Sequence, residues 1–277
     1  MRAFFFWELR PELGLSSVTI TCNKPKSLAK EFHIKYYNAR SLLSKLDELR
    51  AISETTKPDV ICIVETWLDN EITDNEICLT NYHLFRLDRN RHGGGIAIYV
   101  HSFLSCNVIL QGGPFGLELL SLSISSHLTS CKFCSCLFYH PLSSPVSIFD
   151  NLCTTLQIVN PARFHSFVLL GDFNVNFVNK DHHLFTHVSD ILYTFSLTQV
   201  VPSYTYISPT GSPSLIEYAL LSDTQLLVDC ATKLFLHSQH LTTSGLDLHW
   251  SGNYLQQRPV SHAKFGFTPR VIMKGLA

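Results

Sequence analysis

Asn38, Glu65, Asp172 and Asn174 each sit at or just after the end of a short apolar run, and His240 closes the triplet Ser238, Gln239, His240. In layered α/β folds the side chains at strand mouths converge on clefts, so such positions are the first candidates for chemistry. A carboxylate such as Glu65 holds a hard divalent cation, and a second, Asp172, orients water. Amides such as Asn38 and Asn174 bind phosphate oxygens, and an imidazole supplies a proton. That is the inventory a phosphodiester-cleaving site needs. Taken singly, each has a plainer explanation: Glu65 or Asp172 as helix caps, Asn38 as a turn residue, His240 as one of fourteen mostly structural histidines. The GDFN string at 171–174, in which a glycine turn presents Asp and Asn on one loop, shifts the balance when combined with a Glu ending another buried strand.

The elements that would position these groups are legible from periodicity. Leu42, Leu43, Leu46, Leu49 and Ile52 repeat at helical spacing, with Ser41 as N-cap and Pro58 as the stop. Residues 60–64, VICIV, form a continuous apolar run too short for a helix, as expected of a strand buried on both faces. A strand at 96–100 follows the flexible loop Gly93, Gly94, Gly95, with Arg86, Arg89, Arg91 and His92 just before it. Residues 119–124 and 132–139 alternate like a strand pair, 148–159 like a short helix, 167–170 like a second fully buried strand, 184–195 like a helix and 215–221 like a last strand. Hairpins mixed with crossovers favour two packed mixed β-sheets flanked by helices. Without an internal linker, residues 32–250 read as one domain, 1–31 as an irregular N-terminal extension, and 251–277 as a basic, disordered tail.

Composition bounds the rest. With 45% hydrophobic and only 16% charged residues, wholesale disorder is excluded. A net charge of -1 gives no global basic field for nucleic acid, and residues 93–250 carry four bases against nine acids, so any polyanion site is local. Nine cysteines, an odd count scattered through apolar runs, read as reduced thiols and an intracellular setting. The CxxCxC of Cys131, Cys134 and Cys136 lacks a second ligand pair and alternates like a strand, which argues against zinc. Ala3 to Trp7 is too short for a secretory signal, and the uncharged stretch at 93–117 is too broken by glycine to span a membrane.

Several strings in this order are specific: NARSLLSKLDEL, KPDVICIVETWL, FRLDRNRHGGGIAIYV, FYHPLSSPVSIFDNL, FVLLGDFNVNF and FSLTQVVPSYTYISPTGSPSLIEYALLS. They resemble the endonuclease/exonuclease/phosphatase superfamily and, within it, the endonuclease domains of LINE-type non-LTR retrotransposons. The resemblance implies a four-layered α/β sandwich and a Mg2+-dependent hydrolase, with Mn2+ as a substitute, that nicks DNA. It implies DNA as the partner and the nucleus as one place of action; no membrane is expected, and no obligate protein partner is inferable. By position, Glu65 resembles the principal metal ligand and Asn38 the amide near metal and phosphate. Tyr139 resembles the phosphate-contacting tyrosine, Asp172 the residue that aligns or deprotonates water, and Asn174 its phosphate-binding companion. His240 resembles the catalytic histidine and Glu217 the acid that orients it. Arg86, Arg89 and Arg91 are candidates for gripping the substrate backbone beside the cleft, against the alternative of a solvated basic loop.

Two positions depart from the pattern. The resemblance leads to Ser-Asp-His where this chain reads Ser238, Gln239, His240, which removes a negative charge from a metal site. Glu217 stands where Asp is usual, which lengthens the side chain by one methylene. Three readings compete: a DNA-nicking phosphodiesterase of retrotransposon origin weakened by Gln239, an inactive relic or nucleic-acid-binding module of the same fold, and a relative acting on small phosphoesters or lipid headgroups.

Overall fold

The computed structural model describes residues 16–22, 32–126, 132–208 and 212–233. In chain order, β1 (Ser16–Cys22) and β2 (Phe32–Asn38) lead through a 3-10 turn into α1 (Leu46–Thr55), followed by β3 (Val60–Val64), α2 (Asp74–Ile77), β4 (Tyr82–Leu87) and β5 (Ile96–His101). The second half holds β6 (Leu104–Gln111), β7 (Glu118–Ser126), β8 (Lys132–Tyr139), α3 (Ile148–Val159), β9 (Ser166–Asp172) and α4 (Phe185–Thr194). Short strands β10 (Thr198–Gln199), β11 (Tyr206–Ile207) and β12 (Pro213–Ser214) precede β13 (Glu217–Leu221) and β14 (Leu227–Lys233).

These strands form two six-stranded mixed sheets, ordered β14-β1-β2-β3-β5-β4 and β10-β13-β9-β8-β7-β6, and a β11-β12 ribbon. Side-chain alternation along β3 shows how they layer. Val60, Cys62 and Val64 join the core between the sheets, with Leu120, Leu122 and Leu137 from the other side. Ile61 and Ile63 face outward into a second cluster with Leu46 and Leu49 of α1 and Ile77 of α2. On the far side, Leu152 and Leu156 of α3 and Val188 and Ile191 of α4 cover the second sheet. The result is a four-layered sandwich in which VICIV is uninterrupted because it is buried on both faces. Each such aliphatic side chain, fully removed from water, contributes about 1.5–3 kcal/mol.

Three expectations need correction. Residues 16–22 are not irregular: SSVTITC is a strand between β2 and β14 in the first sheet. Its β-branched Val18, Thr19 and Ile20 favour that state, but seven residues are too few for a strong period. The rest of 1–31, all of 234–277, and with them the tail and its boundary, lie outside the described residues. Ser41 does not cap α1, since Arg40 and Ser41 have φ of 43° and 84°, and the helix starts only after the 3-10 turn, with Lys45 as N-cap. Gly171 is not a turn residue. It lies within β9 opposite Phe138 of β8, where a Cβ would come within 2.0 Å of the Phe138 carbonyl oxygen.

Cys62, Cys134 and Cys136 are buried free thiols. Burial pushes Cys62 and Cys134 up to about 12, so they stay protonated.

Candidate active site

Strand direction brings the polar groups together. β2 and β3 are parallel, as are β8 and β9, so Asn38, Glu65, Tyr139 and Asp172 emerge at carboxyl ends. β13 runs antiparallel to β9 with Glu217 opposite Asp172, which delivers Glu217 from an amino end to the same edge. Asn38, Glu65, Tyr139, Asp172, Asn174 and Glu217 all line one cleft of about 520 Å³.

Asp172 is 4% exposed. Its Oδ2 accepts from the Asn38 Nδ2 at 3.1 Å and its Oδ1 from the Asn174 backbone N–H at 2.9 Å. Burial raises its carboxyl from 3.8 to about 7; the Asn174 N–H opposes the rise, the charge of Glu65 adds to it, and Arg40 and the Asn38 amide oppose it. A carboxylate poised near neutrality and aimed into a cleft suits proton transfer. Asn174, left-handed at φ 50°, donates its Nδ2 to the His140 carbonyl at 2.7 Å, which leaves a second amide N–H for other contacts.

Glu65 also has left-handed φ, at 57°, a conformation disfavoured for its type that clusters at functional sites. The backbone around it is fixed by Ser41 N–H to the Glu65 carbonyl, Thr66 N–H to the Gly95 carbonyl and Trp67 N–H to the Gly94 carbonyl. Its carboxylate accepts from the Trp67 indole N–H and, at 3.4 Å, from the Gly94 N–H. Tyr139 is 6% exposed, with the Arg89 guanidinium 5.7 Å from its ring centroid. Glu217 is buried, and its N–H donates to Thr205 Oγ1 at 3.1 Å.

The three arginines do not form one basic surface. Arg86 lies in β4, 2.9 Å from Asp74 and 3.6 Å from Asp88, and Arg91 pairs with Asp69 at 2.6 Å and Glu71 at 2.7 Å. Arg89 pairs with the buried Glu118. The cations that do line the cleft, among the described residues, are Arg40 and Lys45. Ser238, Gln239 and His240 lie outside the described residues, and so does any contact between Glu217 and His240.

The described donors fit a hard divalent cation. Among the described residues Asn38 Oδ1 has no hydrogen-bond partner and is buried, and the Glu65 carboxylate lines the same cleft. Mg2+ is commonly held by one or two carboxylates together with substrate phosphate oxygens and several waters, so one carboxylate beside an amide oxygen is compatible with it. Among the described residues no group of three His, Cys, Asp or Glu side chains is gathered tightly enough to make a dedicated metal cage.

Sequence reasoning passed over Arg40, Trp67, Glu118, Thr205 and Tyr206. Trp67 had a local signal, two residues after Glu65. Glu118 and Thr205 had none, because their partners Arg89 and Glu217 are remote in sequence.

The model of the endonuclease/exonuclease/phosphatase family matches residues 36–240, and the chain belongs to that family. Its fold is similar to the endonuclease domain of TRAS1, a telomere-specific non-LTR retrotransposon, at 15% identity and TM-score 0.53, covering 70% of this chain and 87% of that one. It is also similar to an AP endonuclease from Archaeoglobus fulgidus (17%, TM-score 0.50, covering 68% and 86%) and a mannosyl-6-phosphatase from Bacteroides thetaiotaomicron (12%, TM-score 0.51, covering 68% and 84%). Among curated proteins none matches. The family fold is that of phosphodiesterases, nucleases and phosphatases. Among the described residues no helix is long and apolar enough to cross a membrane.

Proposed function

We propose that this chain is a divalent-cation-dependent phosphodiesterase of retrotransposon origin that nicks DNA. The observation that carries the reading is Asp172, buried between the amide of Asn38 and the backbone of Asn174, in one cleft with Glu65, Tyr139 and Glu217. A phosphodiester is anionic and repels hydroxide, so its cleavage needs positive charge on the phosphate, donors to its oxygens and an oriented water. Glu65 and the free Oδ1 of Asn38 would hold Mg2+ or Mn2+, which supplies the Lewis acidity that offsets charge on the phosphate. Asp172 takes the proton of the attacking water. Asn174 and the Tyr139 hydroxyl donate to phosphate oxygens, and His240, oriented by Glu217, protonates or stabilises the departing oxygen.

A second reading, an inactive relic that still binds nucleic acid, is favoured by Gln239, which puts a neutral amide where the family pattern has a carboxylate. Nicking of supercoiled plasmid separates the two. Mg2+-dependent conversion to open circles that falls about 10²–10⁴-fold in Asp172→Ala supports the enzyme. Equal nicking by both proteins marks a contaminating nuclease and refutes it.

A further inference from the structure

Two cleft residues outside this machinery are placed as a pair. Arg40 and Ser41 follow Asn38 with consecutive left-handed backbones, φ 43° and 84°, disfavoured for non-glycine residues. The loop is held there by Ser41 N–H to the Glu65 carbonyl at 2.9 Å and Leu42 N–H to the Thr66 carbonyl at 2.9 Å. The Lys45 ammonium adds bonds to the Ala39 carbonyl and, at 3.4 Å, to the Arg40 carbonyl. So fastened, the turn leaves the Arg40 side chain exposed at the cleft, its guanidinium 5.7 Å from the centroid of the Tyr206 ring on β11.

Charge bookkeeping singles this arginine out. Arg86, Arg89 and Arg91 are each neutralised by carboxylates, and the Lys45 ammonium is occupied by carbonyls. Arg40 has no carboxylate within ion-pair distance among the described residues. Among the described residues it is the one guanidinium in the cleft wall, and it lies over an aromatic face. A planar guanidinium recognises phosphate with paired N–H bonds, and a half-buried aromatic ring at a cleft wall, as Tyr206 is, can pack against a sugar or base.

We propose that Arg40 and Tyr206 form a clamp for the polynucleotide chain flanking the scissile phosphate, so that the cleft favours a nucleic acid over a small phosphate ester. This rests on the phosphodiesterase reading for its substrate class. It moves backbone gripping from the arginines at 86–91 to the turn after β2.

The test is fluorescence anisotropy of a short fluorescein-labelled DNA duplex in EDTA, where no metal-dependent turnover intervenes, across a series of salt concentrations. Arg40→Gln is expected to weaken binding about tenfold at low salt and reduce the slope of log K against log salt by about 1. Arg40→Lys keeps the slope, which a merely structural role would not require. Tyr206→Ala weakens binding several-fold with the slope retained. Arg163→Gln, an equal loss of charge at an exposed site near the opposite end of β9, leaves both unchanged. A wild-type protein that does not bind the duplex, or an Arg40→Gln slope equal to wild type, overturns the clamp. Arg40-dependent binding without any hydrolysis in Mg2+ overturns the hydrolase reading and leaves the clamp standing.

Discussion

Arg89 and Glu118 form a 2.8 Å ion pair that ties the two sheets together beside the cleft. Glu118 opens β7 of the second sheet, opposite Tyr139 on β8, whereas Arg89 lies between β4 and β5 of the first. The second Glu118 oxygen accepts from the Gly95 N–H at 2.6 Å, and Arg89 Nε donates to the Gly93 carbonyl at 2.9 Å. The glycine loop is therefore held between the two charges. From it, Gly94 reaches the Glu65 carboxylate, and the same guanidinium lies over Tyr139.

Removing one charge should cost more than removing the other. Arg89→Ala strands a carboxylate that is 6% exposed, a loss of about 2–4 kcal/mol. Glu118→Gln keeps an acceptor for Gly95 and leaves Arg89, one-third exposed, partly hydrated, a loss of about 1 kcal/mol. Urea unfolding of both variants gives the comparison, and equal losses would mean that Glu118 is better solvated than its burial indicates.

Gly171 is the tightest backbone approach behind the site. Gly171→Ala sets a methyl 2.0 Å from a carbonyl oxygen in the neighbouring strand, which a side-chain rotation cannot relieve. The expected cost is about 3 kcal/mol or more. Gly116→Ala is the control: among the described residues nothing lies within 4 Å of its added methyl, and its φ of +76° penalises it by about 1 kcal/mol. Chemical denaturation of the two should separate them clearly. A mild Gly171→Ala would show that β8 and β9 yield at the point where they present Tyr139 and Asp172.

What the sequence exposed and what it hid follow from how locally each feature is determined. Residues 60–64 were readable because burial on two faces leaves no polar interruption, and Asp172 because GDFN directly follows such a run. β4 was hidden: YHLFRL is only partly buried along most of its length and carries Arg86, so it reads as an approach to a loop. The roles of the arginines were hidden for another reason. The acids that neutralise Arg86 and Arg91 come from the segment at 69–74 and from Asp88, and only the folded chain brings 69–74 alongside. Arg40 shows the converse, since a residue two positions after a candidate ligand gave no sign of its left-handed backbone.

The raised carboxyl of Asp172 has a stability signature in metal-free buffer. Between its ordinary 3.8 and its folded value of about 7, the folded protein keeps a proton that the unfolded chain has released. Stability from this group is therefore full below about pH 4, is lost as pH rises towards 7, and is level above. Asp172→Asn removes that loss, so the stability difference, mutant minus wild type, should rise by roughly 3 kcal/mol from pH 4 to pH 8. Whatever the amide costs in hydrogen bonding with Asn38 is the same at every pH and does not alter the slope. Thermal unfolding in EDTA across this range reads it directly, and a flat difference would place the carboxyl's folded value near its unfolded one.

Gln239 gives the sharpest prediction about metal. An amide keeps one oxygen of a carboxylate and none of its charge, and the affinity of hard cations depends on the number of charged ligands. With Glu65 as the cleft carboxylate assigned to the ion and Asp172 engaged by two donors, one further charge should matter. Gln239→Asp is expected to lower the Mg2+ concentration for half-maximal plasmid nicking about tenfold and to raise the rate at low Mg2+. Titrating Mg2+ for wild type and variant, with Asp172→Ala to subtract contaminants, measures the shift. A wild-type protein that saturates at the same Mg2+ concentration as Gln239→Asp would mean that position 239 does not reach the ion, and that Glu65 and Asn38 hold it without a second protein charge.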